Sequence, residues 1–156
     1  MARVVLVTGG NRGIGLAIAK AFAAQGDKVA VTTRSTPVEG IFSVTCDVTN
    51  AEQVDAAFKQ VEAELGPVEI IVANAGVTKD GLLLTMSEEA FTSVIDANLT
   101  GTFRVVKRAA RGMLKMRKGR IIMVSSVVAM MGGPGQANYA ASQAGLNGFG
   151  RCLSRE

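Results

Sequence analysis

The chain has 156 residues, 48 % of them hydrophobic and 19 % charged, which is the balance of one globular domain and not of a disordered segment. It holds no histidine and no tryptophan, so catalytic triads and metal sites that need an imidazole are excluded, and Cys46 and Cys152 lie too far apart for a CxxC metal or dithiol pair. Two free thiols and no signal segment lead us to expect a reducing cytoplasm, and the apolar runs are strand-length, far below a membrane span.

Apolar runs alternate with amphipathic stretches from the first residues. Val4 to Val7 is a β-branched run that enters a glycine turn at Thr8-Gly9-Gly10 and reads as a buried strand. Helical spacing follows at Ile14, Ile18, Ala21 and Phe22, and Gly26 stands where a helix end wants a left-handed residue. Val29 to Thr33 and Ile41 to Cys46 are the second and third strands. Asn50-Ala51-Glu52-Gln53 then offers a helix cap with Gln53 at the reciprocal position, and Gly66-Pro67 stops that helix. Val68 to Ala73 is the fourth strand. Thr85-Met86-Ser87-Glu88 reads as another capping box, opening a helical region that runs to about Met116. Arg120 to Ser125 is the fifth strand, and after a Gly-Gly-Pro-Gly loop Ala137 begins a helix expected to reach Glu156.

Strands that are apolar throughout, with helices between them, predict an α/β fold: a doubly wound parallel sheet of about five strands, with right-handed crossovers and helices on both faces. No repeat or linker divides it, so residues 1–156 read as one domain. In a dinucleotide-type strand order the fifth strand would form an open apolar edge, a feature that favours either further chain or a second subunit against it.

Eighteen glycines exceed the usual share of about 7 %, and their placement is informative. Thr8-Gly9-Gly10-Asn11-Arg12-Gly13-Ile14-Gly15 lies between the first strand and the first helix, where glycines let backbone approach a pyrophosphate and the helix N-terminus offers free N–H groups. The spacing is GxxxGxG, a variant of the general dinucleotide fingerprint. At the end of the second strand, Thr32-Thr33-Arg34-Ser35 has no acidic residue for a ribose 2′-hydroxyl. Arg34, helped by Arg12, suits a 2′-phosphate instead, which favours NADP(H) over NAD(H).

Thr8-Gly9, Gly13-x-Gly15, Asp47-Val48, Asn74-Ala75-Gly76, Asn98, Ser126 and Tyr139, the last two thirteen residues apart, occur in an order that resembles the short-chain dehydrogenases/reductases. Asn-Leu-Thr-Gly-Thr-Phe from Asn98 and Gln-Ala-Asn-Tyr-Ala-Ala-Ser from Gln136 look closest to the bacterial 3-oxoacyl-[acyl-carrier-protein] reductases. The resemblance covers the whole chain and about two-thirds of a typical member. It implies a Rossmann-type NADPH-dependent oxidoreductase of fatty acid synthesis. Tyr139 would protonate the carbonyl oxygen, Ser126 would hydrogen-bond it, and Asn98 would anchor a water in the proton relay. Gly9, Asn11, Arg12, Gly13, Ile14, Gly15 and Arg34 would hold the cofactor's phosphates. Asp47 and Val48 would contact adenine, and Asn74, Ala75 and Gly76 the adenosine end.

Two features depart from the family. Its members carry a lysine four residues after the tyrosine, on the same helical face, and here that position is Gln143. Gln143 can hydrogen-bond a ribose hydroxyl but brings no charge to a developing tyrosinate, so impaired turnover is expected, by about 10²–10³. The second is that the family's C-terminal strand and substrate-covering segment do not follow. An alternative is therefore a non-catalytic NADP(H)-binding or assembly subunit.

Eight of the seventeen cations fall between Arg104 and Arg120 with no acid among them. Positions 104, 107, 108, 111, 115 and 118 are expected on one helical face, as a basic stripe suited to an acidic protein. Scarce aromatic residues argue against nucleic acid. The resemblance points to acyl carrier protein as that partner, with Arg117 at a family contact position, and to a homo-oligomer, such as a homotetramer, through helices around 88–116 and 138–156.

Overall fold

Val4–Val7 (β1) has no polar side chain to turn toward water, and all four residues are buried. Its alternate side chains serve two cores, as the two-residue period of a strand requires. Val4 and Leu6 join Phe58, Val61, Ile71, Val105 and Ala109 on one side of the sheet, and Val5 and Val7 join Ala19, Val31 and Val72 on the other. The computed structural model describes residues 2–156. After β1 come α1 (Gly13–Ala24), β2 (Lys28–Thr33), β3 (Phe42–Thr45), α2 (Ala51–Leu65), β4 (Ile70–Ala73), α3 (Glu88–Ile95), a π-helical turn (Asp96–Thr100), α4 (Gly101–Met116), β5 (Arg120–Met123), a short α5 (Val128–Met131) and α6 (Ala137–Leu153). All strand pairs are parallel, in the order β3-β2-β1-β4-β5. This is the expected doubly wound sheet, and its winding reverses between β1 and β4.

The expected strands are present: β1 keeps its bounds, β2 begins one residue earlier, and β3, β4 and β5 are shorter. Asn50 caps α2 by accepting the Glu52 and Gln53 amides, but Gln53 does not close the reciprocal bond. Its Oε1 accepts the Asp47 amide at 2.9 Å and so ties the β3–α2 loop to the helix. The cap of the next helix lies two residues beyond the expected one and is a single bond, with no reciprocal partner. Ser87, not Thr85, accepts the Ala90 amide to start α3, while the Thr85 hydroxyl donates to Leu82 within the preceding turn. The long helical region is interrupted at the π turn, where the Gly101 amide reaches back five residues to the Asp96 carbonyl. α6 ends at Leu153, three residues before Glu156.

β5 lies at the sheet edge, paired only with β4, and Ile122 is 40 % exposed. No helix among the described residues is long and apolar enough to cross a membrane, and no group of histidine, cysteine or acidic residues could hold a metal ion.

Candidate functional site

A cleft of about 840 Å³ opens at the C-terminal ends of β1, β2 and β4, at the point where the winding reverses. Open α/β sheets present their ligand crevice at that point. Gly9, Asn11, Arg12, Gly13, Ile14, Gly15, Arg34, Asp47, Val48, Asn74, Ala75 and Gly76 all line it.

The turn from β1 to α1 is held by hydroxyl and amide hydrogen bonds that the sequence reading did not foresee. The Thr8 hydroxyl accepts the amides of Asn74 and Ala75 at 3.0 and 3.1 Å, and the Thr32 hydroxyl accepts the Gly9 amide at 3.1 Å. Asn74 Nδ2 donates to the Thr8 and Gly9 carbonyls at 3.0 and 3.2 Å. Backbone of neighbouring strands therefore packs directly on the turn. At Gly15 a Cβ would sit 2.5 Å from Asn74 Nδ2 and from the Gly9 carbonyl. Gly13 is glycine for another reason: its φ is +53°, and nothing lies within 4 Å of where its Cβ would be, so open space faces the first turn of α1. That turn contains no acidic residue, and no side chain of its N-cap, Arg12, bonds its amides. The orphan amides and the helix dipole together favour an anion.

Across the cleft Arg34, at the end of β2, stands 3.7 Å from Asp47. Burial pushes the Asp47 carboxyl up, but hydrogen bonds from the Thr49 amide and hydroxyl, with the Arg34 charge, outweigh it and hold the group below its ordinary range. Cys46 lines the same wall. Burial, with a smaller contribution from Asp47, pushes its thiol up to about 11.

The remaining candidates sit around the N-terminal half of α6. Asn98 is buried in the π turn. Its Oδ1 accepts the Val77 amide at 2.8 Å, and its Nδ2 donates to the Val77 carbonyl and to Ser142 Oγ, both at 3.0 Å. Its own carbonyl accepts the Thr102 hydroxyl at 2.7 Å. Ser126, half-buried, accepts the Val128 amide at 3.3 Å and so starts α5. The neighbouring Ser125 donates to the Gln143 carbonyl at 3.0 Å, joining the end of β5 to α6. Tyr139 is half-buried. Gln143 is only 6 % exposed, and its Oε1 has no protein partner.

The basic stripe is smaller than the sequence suggested. α4 ends at Met116, where Arg117 takes a left-handed conformation with φ +52°, so Lys118 has left the helix and turns to Glu69. Arg104 faces inward to Asp96 at 2.9 Å, and Arg108 is held by Asp55 and Glu62 of α2 at 2.8 and 2.7 Å. The acids absent from the local sequence thus arrive from other elements. Lys107, Arg111, Lys115, Arg117 and Arg120 are exposed and form no ion pair among the described residues.

The family profile described as "short chain dehydrogenase" matches residues 3–156. The chain is 59 % identical to the 3-oxoacyl-[acyl-carrier-protein] reductase MabA of Mycobacterium avium over 157 residues, covering all of this chain and 62 % of that protein. It is 54 % identical to MabA of Mycobacterium tuberculosis, covering 64 % of it. Identity to the 3-oxoacyl-[acyl-carrier-protein] reductase FabG of Escherichia coli is 43 %, over 99 % of this chain and 67 % of that one. The chain thus spans less than two-thirds of the length of the MabA proteins it matches.

Proposed function

Because the chain belongs to the short-chain dehydrogenase family, we propose that it is an NADP(H)-binding domain whose chemistry is reduction of a 3-oxoacyl thioester on acyl carrier protein. The observation that carries this reading is one cleft that joins a bare helix N-terminus and a glycine turn to Arg34, with relatives named for that reaction. The free amides of α1 suit the pyrophosphate, and Arg34 with Arg12 suits the 2′-phosphate. Asp47 and Val48 form the adenine wall, and Asn74, Ala75 and Gly76 the floor beneath adenosine.

When bound, the reduced nicotinamide supplies a hydride to the carbonyl carbon. Tyr139 gives its phenolic proton to the carbonyl oxygen, so that ketone, hydride and proton balance as the 3-hydroxy product. Ser126 donates a hydrogen bond to the same oxygen and holds it in place. Asn98 Nδ2 spends both its protons on protein, so a water of a proton relay would donate to an Asn98 oxygen and not accept from its amide. Gln143 orients a ribose hydroxyl but contributes no charge, and turnover is correspondingly weak.

The exposed cations Lys107, Arg111, Lys115, Arg117 and Arg120 steer the acidic carrier by complementary charge. Helices α4 and α6 form the oligomer contacts, and the protein works in the cytoplasm. A second reading, a cofactor-binding or assembly subunit without chemistry, is favoured by Gln143, a buried neutral amide where the family has a cation.

The test is NADPH oxidation with an acetoacetyl thioester, in the chain and its Tyr139→Phe variant. Slow oxidation that disappears in Tyr139→Phe, with NADPH binding retained, supports the reductase. Tight binding of NADPH with no oxidation in either supports the subunit reading.

A further inference from the structure

Asn138 is the second residue of α6 and has no solvent-accessible surface. A buried amide must find its partners in protein, and the three it finds come from separate parts of the chain. Nδ2 donates to the Lys79 carbonyl at 2.8 Å and to the Ala90 carbonyl at 3.1 Å, while Oδ1 accepts the Tyr139 amide at 2.8 Å. The first amides of a helix have no acceptor within it, and Gln136, the N-cap of α6, makes no side-chain bond to them. Asn138 therefore does from inside the helix what an N-cap would do, and does it at the residue that bears the phenol.

The other side of Tyr139 is held too. Ser142 donates to the Tyr139 carbonyl at 2.7 Å and accepts from Asn98, which also closes both backbone bonds of Val77. Both peptide groups of Tyr139 are thus gripped by side chains tied back to one short segment, Val77 to Lys79. We propose that Asn138 is the positioning residue of Tyr139: by capping its amide and anchoring that turn to the Lys79 and Ala90 carbonyls, it fixes where the phenol stands. The consequence for catalysis rests on the reading of Tyr139 as proton donor, but the positioning itself does not.

Tyr139 is the only tyrosine and there is no tryptophan, so the intrinsic fluorescence of the chain reports this phenol alone. Collisional quenching by acrylamide would be measured for the parent chain, Asn138→Ala, Asn138→Asp and Arg3→Ala. Arg3→Ala removes a side-chain pair with Asp27 at the opposite end of the sheet and serves as a destabilised control. Asn138→Asp keeps an acceptor for the Tyr139 amide but sets an oxygen against the two carbonyls. The quenching constant should rise toward that of free tyrosine in Asn138→Ala, rise less in Asn138→Asp, and stay at the parent value in Arg3→Ala. NADPH affinity should be unchanged, and thioester turnover should fall through kcat and not KM. Parent-like quenching in folded Asn138→Ala would overturn the proposal, and Asn138→Asp decides by the same criterion if the alanine variant does not fold. If neither folds while Arg3→Ala does, the role of Asn138 is structural only. A parent chain silent in the turnover assay would sink the reductase reading and leave the quenching result standing.

Discussion

Replacing Gln143 by lysine should move activity and stability in opposite directions. Gln143 is 6 % exposed, and Ser125, which donates to its carbonyl, and the adjacent Ser142 with its partner Asn98 are all neutral. An ammonium there meets no carboxylate among them. Burying such an ion costs about 4–5 kcal/mol after relaxation. Removing the amide whose Oε1 now lacks a partner returns about 1–3 kcal/mol of that. Gln143→Lys should therefore lose about 1–4 kcal/mol of stability without cofactor, and less with NADPH bound, whose ribose hydroxyls give the ammonium partners. One preorganised charge beside the developing tyrosinate should meanwhile raise turnover about 10²-fold, or ~2.7 kcal/mol of barrier. The assay pairs the loss of reduced-nicotinamide absorbance, at saturating NADPH and acetoacetyl thioester, with urea unfolding. A folded variant that binds NADPH and turns over no faster than the parent would refute the reasoning, because position 143 would then not limit the rate.

Arg34→Ala should weaken NADPH binding about tenfold and leave NADH binding nearly unchanged. Equal losses for both, measured by nicotinamide fluorescence, would remove the 2′-phosphate reading. Arg117→Gly should stabilise the chain by about 0.5–1 kcal/mol, since glycine relieves the left-handed strain at φ +52° but adds chain entropy to the unfolded state; an unmoved urea midpoint would contradict this. Cys152 is exposed and should react with a thiol reagent at once at neutral pH, whereas buried Cys46 should react only on unfolding and be slowed further by NADPH. Because the Cys46 thiol is pushed from 9.0 up to about 11, the folded chain keeps that proton longer, and stability should fall as pH rises from 9 toward 11. Cys46→Ala should flatten that slope.

The apolar runs made the sheet legible, because a strand buried on both faces leaves no room for polar residues, and Val4 to Val7 or Ile70 to Ala73 cannot be read otherwise. The cleft was legible for a related reason: backbone packed against backbone admits only glycine at Gly15, and that constraint is written in one letter. Hydroxyls at strand ends were not. Thr32 looks like an ordinary strand residue, and Thr8 like one more turn residue, until their partners, Gly9, Asn74 and Ala75, arrive from other parts of the chain. The same holds for Arg104 and Arg108, whose charges are cancelled by Asp96, Asp55 and Glu62, two of them on a helix some fifty residues earlier. Side chains that bond across long sequence separations leave no local period, and for that reason Asn138 and Ser142, although part of the stretch that carries the resemblance, were given no role.

The π turn sets the angular phase of everything after it. One residue of α-helix turns the chain by about 100°, and the wide turn at Asp96–Thr100 takes up one residue more than an α-turn would. Val105 and Ala109 reach the sheet, and Lys107 and Arg111 reach solvent, only with that extra residue in place. A single deletion within the turn would swing cations toward the core and the valines outward, and Asn98 would lose its hold on Val77. The buried contacts of Asn98 and the exposed charges of α4 therefore share one setting. A change of length here cannot be confined to either.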